Sequence, residues 1–253
     1  MMNLAPGKKI YFISDFHLGV PNYEKSLERE RKIVRLLDVM KQDAQALYLM
    51  GDVFDYWFEY RNTVPKGFVR LLGKLAELTD AGITIYYFTG NHDMWAFDYF
   101  PKELGITIFR KQVQHEYNGT KFYLGHGDGL GPGDYGYKTI KKIFSNKFSQ
   151  WLFARIHPNL GIGLMKYFSN TSRAATGAAD EKFMGEEKEW LIIHSKEILK
   201  KEHFDYFIFG HRHLPIDIML NEKSRYINLG DWINHQLYAT FDGEKLEVRE
   251  FNN

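Results

Sequence analysis

The chain has 253 residues, of which 44% are hydrophobic and 26% charged, and its formal net charge is +1. This length and composition fit one large globular domain over residues 1–253 and argue against a long disordered region. Because the sequence contains no cysteine, disulfides, thiolate metal sites and cysteine nucleophiles are excluded. Any bound metal must be held by His, Asp, Asn or Glu.

The hydropathy of the chain sets an expectation for its location. Residues 1–9 lack the apolar segment of a secretory signal, and no run of about 18 apolar residues is available to span a bilayer. We therefore expect a cytoplasmic protein, with attachment to a membrane surface left open.

The first part of the chain alternates between predicted strands and helices. Runs rich in β-forming residues predict strands at residues 9–14, 46–50 and 83–88. Apolar residues spaced three and four apart predict one-sided helices at residues 24–42 and 67–81. This alternation is typical of an α/β domain.

The second part of the chain is mostly predicted β structure. Residues 113–117 and 121–124 flank Asn118-Gly119, which is a strong hairpin signal, and Asp242-Gly243 joins two predicted strands in the same way. Helical periodicity over residues 135–201 interrupts this pattern. We interpret that segment as a helical lid inserted over the functional site, within the same domain.

Five short polar motifs each follow a predicted strand, the last of these strands at residues 204–209. The motifs are Asp15-Phe16-His17, Gly51-Asp52, Gly90-Asn91-His92-Asp93, Gly125-His126-Gly127-Asp128 and Gly210-His211-Arg212-His213. An α/β sandwich brings residues from successive strand ends to one point. Any one motif alone is commonly a turn or a satisfied polar group, but five in this order indicate one shared site.

The side chains of these motifs suit a pair of divalent metals. Such ions take carboxylate, amide and imidazole ligands, and two ions need a bridging ligand. We assign Asp15, His17, Asp52 and His213 to one ion and Asp52, Asn91, His126 and His211 to the other. Asp52 is then the bridge.

The order of the motifs from Asp15 to His213 resembles the calcineurin-like metallophosphoesterase superfamily. The resemblance implies an α/β fold of four αββα layers, two divalent ions of the Mn²⁺ type, and in-line attack on phosphorus. It also implies that His92 contacts the phosphoryl or leaving-group oxygen as a general acid or electrostatic stabiliser, with Asp93 orienting its ring. A purely structural His92 is the alternative.

The composition of the predicted lid bears on the substrate. Residues 135–179 contain no acidic residue and are rich in aromatic and aliphatic side chains. Their basic residues are Lys138, Lys141, Lys142, Lys147, Arg155, Lys166 and Arg173. Basic groups beside an apolar face suit an anionic amphiphile or a headgroup surface. The alternative is an insertion packed on its own core with a solvated basic face.

Over nearly its whole length the chain resembles a narrower family, the UDP-2,3-diacylglucosamine pyrophosphohydrolases of lipid A synthesis. The matching segments are residues 14–18, the aromatic stretch after Asp52, the loop from His126 to Tyr137, the helical insertion, and residues 229–232. The resemblance implies release of UMP and 2,3-diacylglucosamine 1-phosphate at the inner face of the cytoplasmic membrane. One departure is His92, where better-known members carry Arg.

Four further residues are candidates for binding this substrate. Asp134 and Tyr137 match positions at the base of the lid in that family, and Arg173 and Lys182 are cations suited to phosphate or acyl carbonyls. Each also has an ordinary structural interpretation as a loop or surface residue.

Two other functions remain open from the sequence. One is a soluble phosphodiesterase or nucleotide pyrophosphatase, and the other is a non-catalytic scaffold of the same fold. Nucleic acid is disfavoured as a partner, because the basic residues gather in an apolar segment and form no broad positive surface.

Overall fold

A computed structural model describes residues 2–133, 135–180 and 182–252, except for the side chains of residues 172–180. The helices are α1 (Tyr23–Met40), α2 (Val69–Asp80), α3 (Tyr99–Leu104), α4 (Tyr135–Phe144), α5 (Lys147–Phe153), α6 (Pro158–Asp180) and α7 (Trp190–Leu199). The strands are β1 (Lys9–Ile13), β2 (Ala44–Leu49), β3 (Thr84–Phe88), β4 (Thr107–Phe109), β5 (Val113–Tyr117), β6 (Thr120–Leu124), β7 (Tyr206–Phe209), β8 (Pro215–Met219), β9 (Arg225–Leu229), β10 (Leu237–Phe241) and β11 (Leu246–Glu250).

The strands form two sheets within the described residues. The first sheet has the order β11-β10-β1-β2-β3-β4 and the second has the order β5-β6-β7-β9-β8. Strands β1, β2 and β3 are parallel neighbours in the first sheet, and β6 and β7 are parallel neighbours in the second. Polar residues that directly follow these five strands therefore lie at the carboxyl ends of the strands, where α/β proteins commonly bind their ligands.

Apolar packing divides the molecule into four layers. One cluster joins α1, α2 and α3 to the outer face of the first sheet, through residues such as Leu36 and Leu75. A second cluster fills the space between the sheets, with Phe12 facing Phe122. A third joins α7 to the second sheet through Leu191. This helix–sheet–sheet–helix order confirms the predicted αββα architecture.

Most predicted elements are present with shifted ends. Both predicted hairpins are confirmed, since β5 pairs with β6 across Asn118-Gly119 and β10 pairs with β11 across Asp242-Gly243. The helix predicted from residue 67 begins at Val69, after a left-handed Phe68. The short helix α3 and strand β4 were not predicted, because a six-residue helix and a three-residue strand are too short to show a period.

The described part of residues 135–199 contains the helices α4, α5, α6 and α7, which differ in how they pack. In α4 and α5 no residue is fully buried, whereas α7 buries Leu191 and Ile192 against the second sheet. The exposed part of the insertion therefore ends before α7. Within the described residues, no helix is both long and apolar enough to cross a membrane.

Candidate metal centre

Several candidate ligands have an unusual backbone conformation. Asp15, His17, Asp52 and His211 have φ values of 54°, 44°, 50° and 66°, in the left-handed region that residues other than glycine rarely adopt. Each lies just after the end of a parallel strand, so the chain turns sharply there and the side chain projects into the space between the strand ends. Such strain persists only where the surrounding structure holds it, and it is concentrated at functional sites.

Glycines before three candidate ligands allow close contact between the loops. A Cβ atom at Gly51 would lie 2.4 Å from Nδ1 of His126, and one at Gly90 would lie 2.1 Å from Oδ1 of Asp52. At Gly210 a Cβ atom would lie 2.3 Å from Oδ2 of Asp15. These glycines are therefore required by packing around the polar cluster.

Asp15, His17 and His213 form the first donor group, with one ligand atom of each within 4.8 Å of the others. The Nε2 atoms of the two histidines lie 3.0 Å apart, and each is 3.6 Å from Oδ1 of Asp15. That buried oxygen has no hydrogen-bond partner among the described residues. Lone pairs that converge on a buried, unsatisfied carboxylate fit a divalent cation.

Asp52, His126 and His211 form the second donor group, again within 4.8 Å. Nε2 of His126 lies 3.3 Å from Oδ2 of Asp52 and 3.4 Å from Oδ1 of Asn91. Nδ1 of His126 donates to the carbonyl of Met50 at 2.9 Å, which leaves Nε2 as the inward-facing donor atom. The side-chain amide of Asn91, which the sequence predicts as a ligand, therefore lies beside this second donor group.

Asp52 lies between the two donor groups. Its Oδ2 atom is 3.3 Å from His126 and 3.8 Å from Nε2 of His17 in the first group. The carboxylate is almost fully buried, and its Oδ1 atom accepts a hydrogen bond from the backbone N–H of His92 at 2.9 Å. This geometry brings together all seven residues that the sequence predicts as ligands.

The electrostatics of the cluster favour charged carboxylates. Burial raises the pKa of Asp52, but the neighbouring His126 and His92 outweigh it and hold that pKa well below its usual range. Burial lowers the pKa of His126, but Asp52 and Asp15 outweigh it and raise that pKa to about 10. For His211, burial and the nearby His126 lower the pKa to about 4. A divalent cation must therefore displace a proton from His126 but none from His211.

The contacts of His92 differ from those predicted. Its Nδ1 atom donates to the backbone carbonyl of Asp55 at 3.0 Å and lies 3.7 Å from Oδ1 of that residue. Ser169 of α6 donates to Oδ2 of Asp55 at 2.7 Å. The side chain of Asp93 instead accepts hydrogen bonds from Tyr87 and from the backbone of Val53 and Gly90. Among the described residues, Asp55 and not Asp93 is therefore the carboxyl residue in contact with the His92 ring.

The predicted substrate-binding residues are distributed unevenly. Tyr137 lies at the centre, since its hydroxyl donates to Asp128 at 2.6 Å and its ring lies 6.2 Å from that of His211. Lys182 is exposed, and its backbone carbonyl accepts a hydrogen bond from Arg212 at 2.8 Å. Asp134 and the side chain of Arg173 lie outside the described residues.

Two sets of supporting contacts were not predicted from the sequence. Ser14 donates to Oδ2 of Asp15, which also accepts from the backbone N–H of His211 at 3.1 Å. Arg212, between two candidate ligands, is buried and paired with Glu189 at 3.0 Å. Ser14 adjoins a predicted motif, so a signal for it was available. No sequence signal indicated the pairing of Arg212 with Glu189, because only the fold brings these two distant residues together.

Comparison with known proteins identifies relatives over nearly the whole chain. A family model described as calcineurin-like phosphoesterase matches residues 8–215. A Porphyromonas gingivalis protein named UDP-2,3-diacylglucosamine hydrolase is 40% identical over 94% of this chain and 95% of its own length. Proteins of the same name from Vibrio parahaemolyticus and Ectopseudomonas mendocina are 28% and 29% identical, over 95% and 96% of this chain and 98% of each relative. The similarity therefore includes both sheets and the helical insertion.

Proposed function

The chain belongs to the calcineurin-like phosphoesterase family of metal-dependent hydrolases, and we propose that it hydrolyses the pyrophosphate of UDP-2,3-diacylglucosamine. The products are UMP and 2,3-diacylglucosamine 1-phosphate. The two donor groups that meet at Asp52 carry the proposal for the chemistry. Similarity to relatives that bear the substrate's name, over 94% of the chain in one case, supports the substrate.

The proposed metal ligands are those predicted from the sequence. One ion is held by Asp15, His17, Asp52 and His213, and the other by Asp52, Asn91, His126 and His211. Oxygen and imidazole nitrogen donors in this mixture suit Mn²⁺. Two such ions, when bound, supply activation of water and stabilisation of charge on the phosphoryl oxygens.

His92 is the proposed catalytic residue outside the metal ligands. Burial lowers the pKa of His92. Its Nδ1–H donates to the carbonyl of Asp55, so Nε2 is the ring nitrogen left to face the substrate, and it must carry a proton to act there as a hydrogen-bond donor or general acid. In this position His92 contacts the phosphoryl or leaving-group oxygen. Tyr137, and with it Asp134, Arg173 and Lys182, are proposed to bind the sugar and its phosphate.

The exposed helices α4, α5 and α6 are the proposed lid for the diacyl part of the substrate. Large apolar side chains remain exposed there, with Phe148 at 66%, Leu160 at 67% and Tyr167 at 65%. Basic residues accompany them: the Arg155 guanidinium lies 3.8 Å above the Trp151 ring. This combination suits acyl chains and an anionic membrane surface, which supports peripheral association at the inner face of the cytoplasmic membrane.

A substrate comparison tests this function. The Mn²⁺-loaded protein is assayed with UDP-2,3-diacylglucosamine, UDP-glucose and an aryl phosphodiester, with UMP and phenol release as readouts. We expect the highest kcat/KM with the diacylated substrate and loss of turnover after chelation. Equal or better turnover of the two soluble compounds would contradict the lipid substrate and would favour a soluble phosphodiesterase.

A further inference from the structure

A cavity adjoins the candidate metal centre on the side of α4 and α5. Its volume is about 270 Å³, and Gly90 forms part of its wall. A Cβ atom at Gly90 would lie 2.1 Å from Oδ1 of Asp52 and 2.7 Å from Nε2 of His126. Gly90, which lines the cavity, therefore lies directly beside the second donor group.

The wall of this cavity is predominantly positive. Arg110, Lys141 and Lys147 line it, against the single carboxylate of Asp128. That carboxylate is paired with Lys141 at 2.6 Å, which neutralises it. Among the described residues Lys147 has no carboxylate partner, so it and Arg110 remain to meet a negatively polarised ligand.

The cation of Arg110 is held in position. Its guanidinium donates to the backbone carbonyls of Met94 at 3.2 Å and Ala96 at 2.5 Å. These two bonds use only part of the five N–H donors of the group. The same guanidinium lies 5.9 Å from the centre of the Phe97 ring, so the two planar groups form one side of the cavity.

Neutral polar groups complete the lining. Thr89 and Ser145 offer hydroxyls, and Gln150 offers its amide. The amide nitrogen of Gln150 already donates to the carbonyl of Phe144 at 3.1 Å, which leaves its oxygen as an acceptor. Fixed donors, one acceptor and a flat aromatic wall match the edge and face of a pyrimidine base with its ribose hydroxyls.

The two halves of the proposed substrate differ in chemistry, and so do the two surfaces beside the metal centre. With about 270 Å³, the cavity is smaller than the roughly 300–1,000 Å³ typical of a whole drug-sized ligand. Its cationic side chains are unsuited to acyl chains, which the exposed helices can accept. Building on the proposed function, we propose that the cavity is the nucleoside subsite. In it, uridine binds against Phe97, Arg110 and Gln150 while its phosphate lies at the donor groups.

Direct binding of UMP and of inorganic phosphate to the Mn²⁺-loaded protein tests this subsite by calorimetry. The variants are Arg110→Ala, Lys147→Ala and Ser145→Trp, the last of which fills the cavity from an exposed position. Lys111→Ala is the matched control, because it removes the same charge from an exposed residue next to Arg110 that does not line the cavity. Thermal melting and metal content are measured for every variant.

We expect each of the three cavity variants to weaken UMP binding about tenfold or more. Phosphate binding should stay within about twofold of the wild type, and Lys111→Ala should change neither affinity. A structural defect would lower both affinities together, whereas loss of the subsite lowers only that for UMP.

Two results would overturn the subsite: unchanged UMP affinity in Arg110→Ala and Ser145→Trp, or a wild type that binds UMP no more tightly than phosphate. The proposed function fails separately. A protein whose UMP binding depends on Arg110 but which does not cleave UDP-2,3-diacylglucosamine keeps the subsite and loses the substrate.

Discussion

Individual residues at the centre are held in costly conformations by their neighbours. Left-handed backbone at a residue other than glycine costs of the order of 1–3 kcal/mol. For Asp15 the cost is offset by hydrogen bonds, since its N–H donates to the carbonyl of Gly51 at 3.0 Å and its side chain accepts from His211. His17 likewise donates to the carbonyl of Asp52 at 2.9 Å. The loops thus fix one another's side chains before any ion binds.

Gly210→Ala tests how tightly this packing is set. The new Cβ atom would lie 2.0 Å from Oγ of Ser14 and 2.3 Å from Oδ2 of Asp15, so the carboxylate must move. We expect the free energy of unfolding to fall by about 1–3 kcal/mol, as for overpacked cores, and Mn²⁺ affinity to fall with it. Urea unfolding and metal titration measure both effects.

The control for this substitution is Gly73→Ala. Gly73 lies inside α2, and no atom beyond its own stretch of helix would be within 4 Å of its new Cβ. Alanine is the better helix former by about 1 kcal/mol, so this variant should be as stable as the wild type or more so, with unchanged metal binding. Unchanged stability and metal affinity in Gly210→Ala would show that the loops are not packed as closely as described.

At the scale of secondary-structure elements, the helical insertion is fixed to the centre at two places, within α6 and directly before α7. Ser169 of α6 is bound to Asp55, which lies beside His92. After α6, the buried Arg212 binds both the backbone of Lys182 and the carboxylate of Glu189, directly before α7. A movement of α6 therefore reaches the groups around His92, while α7 stays with the second sheet.

The exposed faces of α4, α5 and α6 lead to a prediction on membrane binding. Phe148 is 66% and Trp151 51% exposed, and the two rings stack at 5.9 Å between centroids. We expect the double variant Phe148→Ser, Trp151→Ser to sediment about tenfold less with phosphatidylglycerol vesicles, because it loses two apolar anchors. Its melting temperature should be unchanged, since neither side chain is buried.

Tyr23→Ser is the matched control for vesicle binding. Tyr23 is 72% exposed at the start of α1, away from the insertion in sequence, so its loss should leave sedimentation unchanged. Equal sedimentation of the double variant and the wild type would contradict a membrane-binding face on these helices. Equal losses of sedimentation in the double variant and in Tyr23→Ser would indicate nonspecific hydrophobic adsorption and would also contradict it.

At the scale of the whole molecule, three apolar interfaces hold four layers together and align the ends of the strands. The middle interface, where Phe12 lies 5.8 Å from Phe122 between ring centroids, joins the two sheets. It brings the loops after β1, β2 and β3 to those after β6 and β7. The centre therefore depends on the packing between the sheets, and the candidate ligands come from both.

This dependence explains what the sequence could predict. Asp15, Asp52 and His211 each follow a run of β-forming residues, so their meeting at one end of the sandwich was predictable from the strand ends alone. The hydrogen-bond partner of the His92 ring was not predictable in this way. Asp55 lies in a bend three residues after Asp52, and nothing in the local sequence sets it above Asp93 as the partner of His92.

The most direct test of the whole account is the metal content of Asp52→Ala beside His92→Ala. Elemental analysis after loading with Mn²⁺ should find two ions per chain in the wild type and in His92→Ala. Asp52→Ala should show loss of both ions and of turnover, because its carboxylate lies between the two donor groups. Full metal content in Asp52→Ala, or loss of an ion in His92→Ala, would contradict a metal pair that shares Asp52.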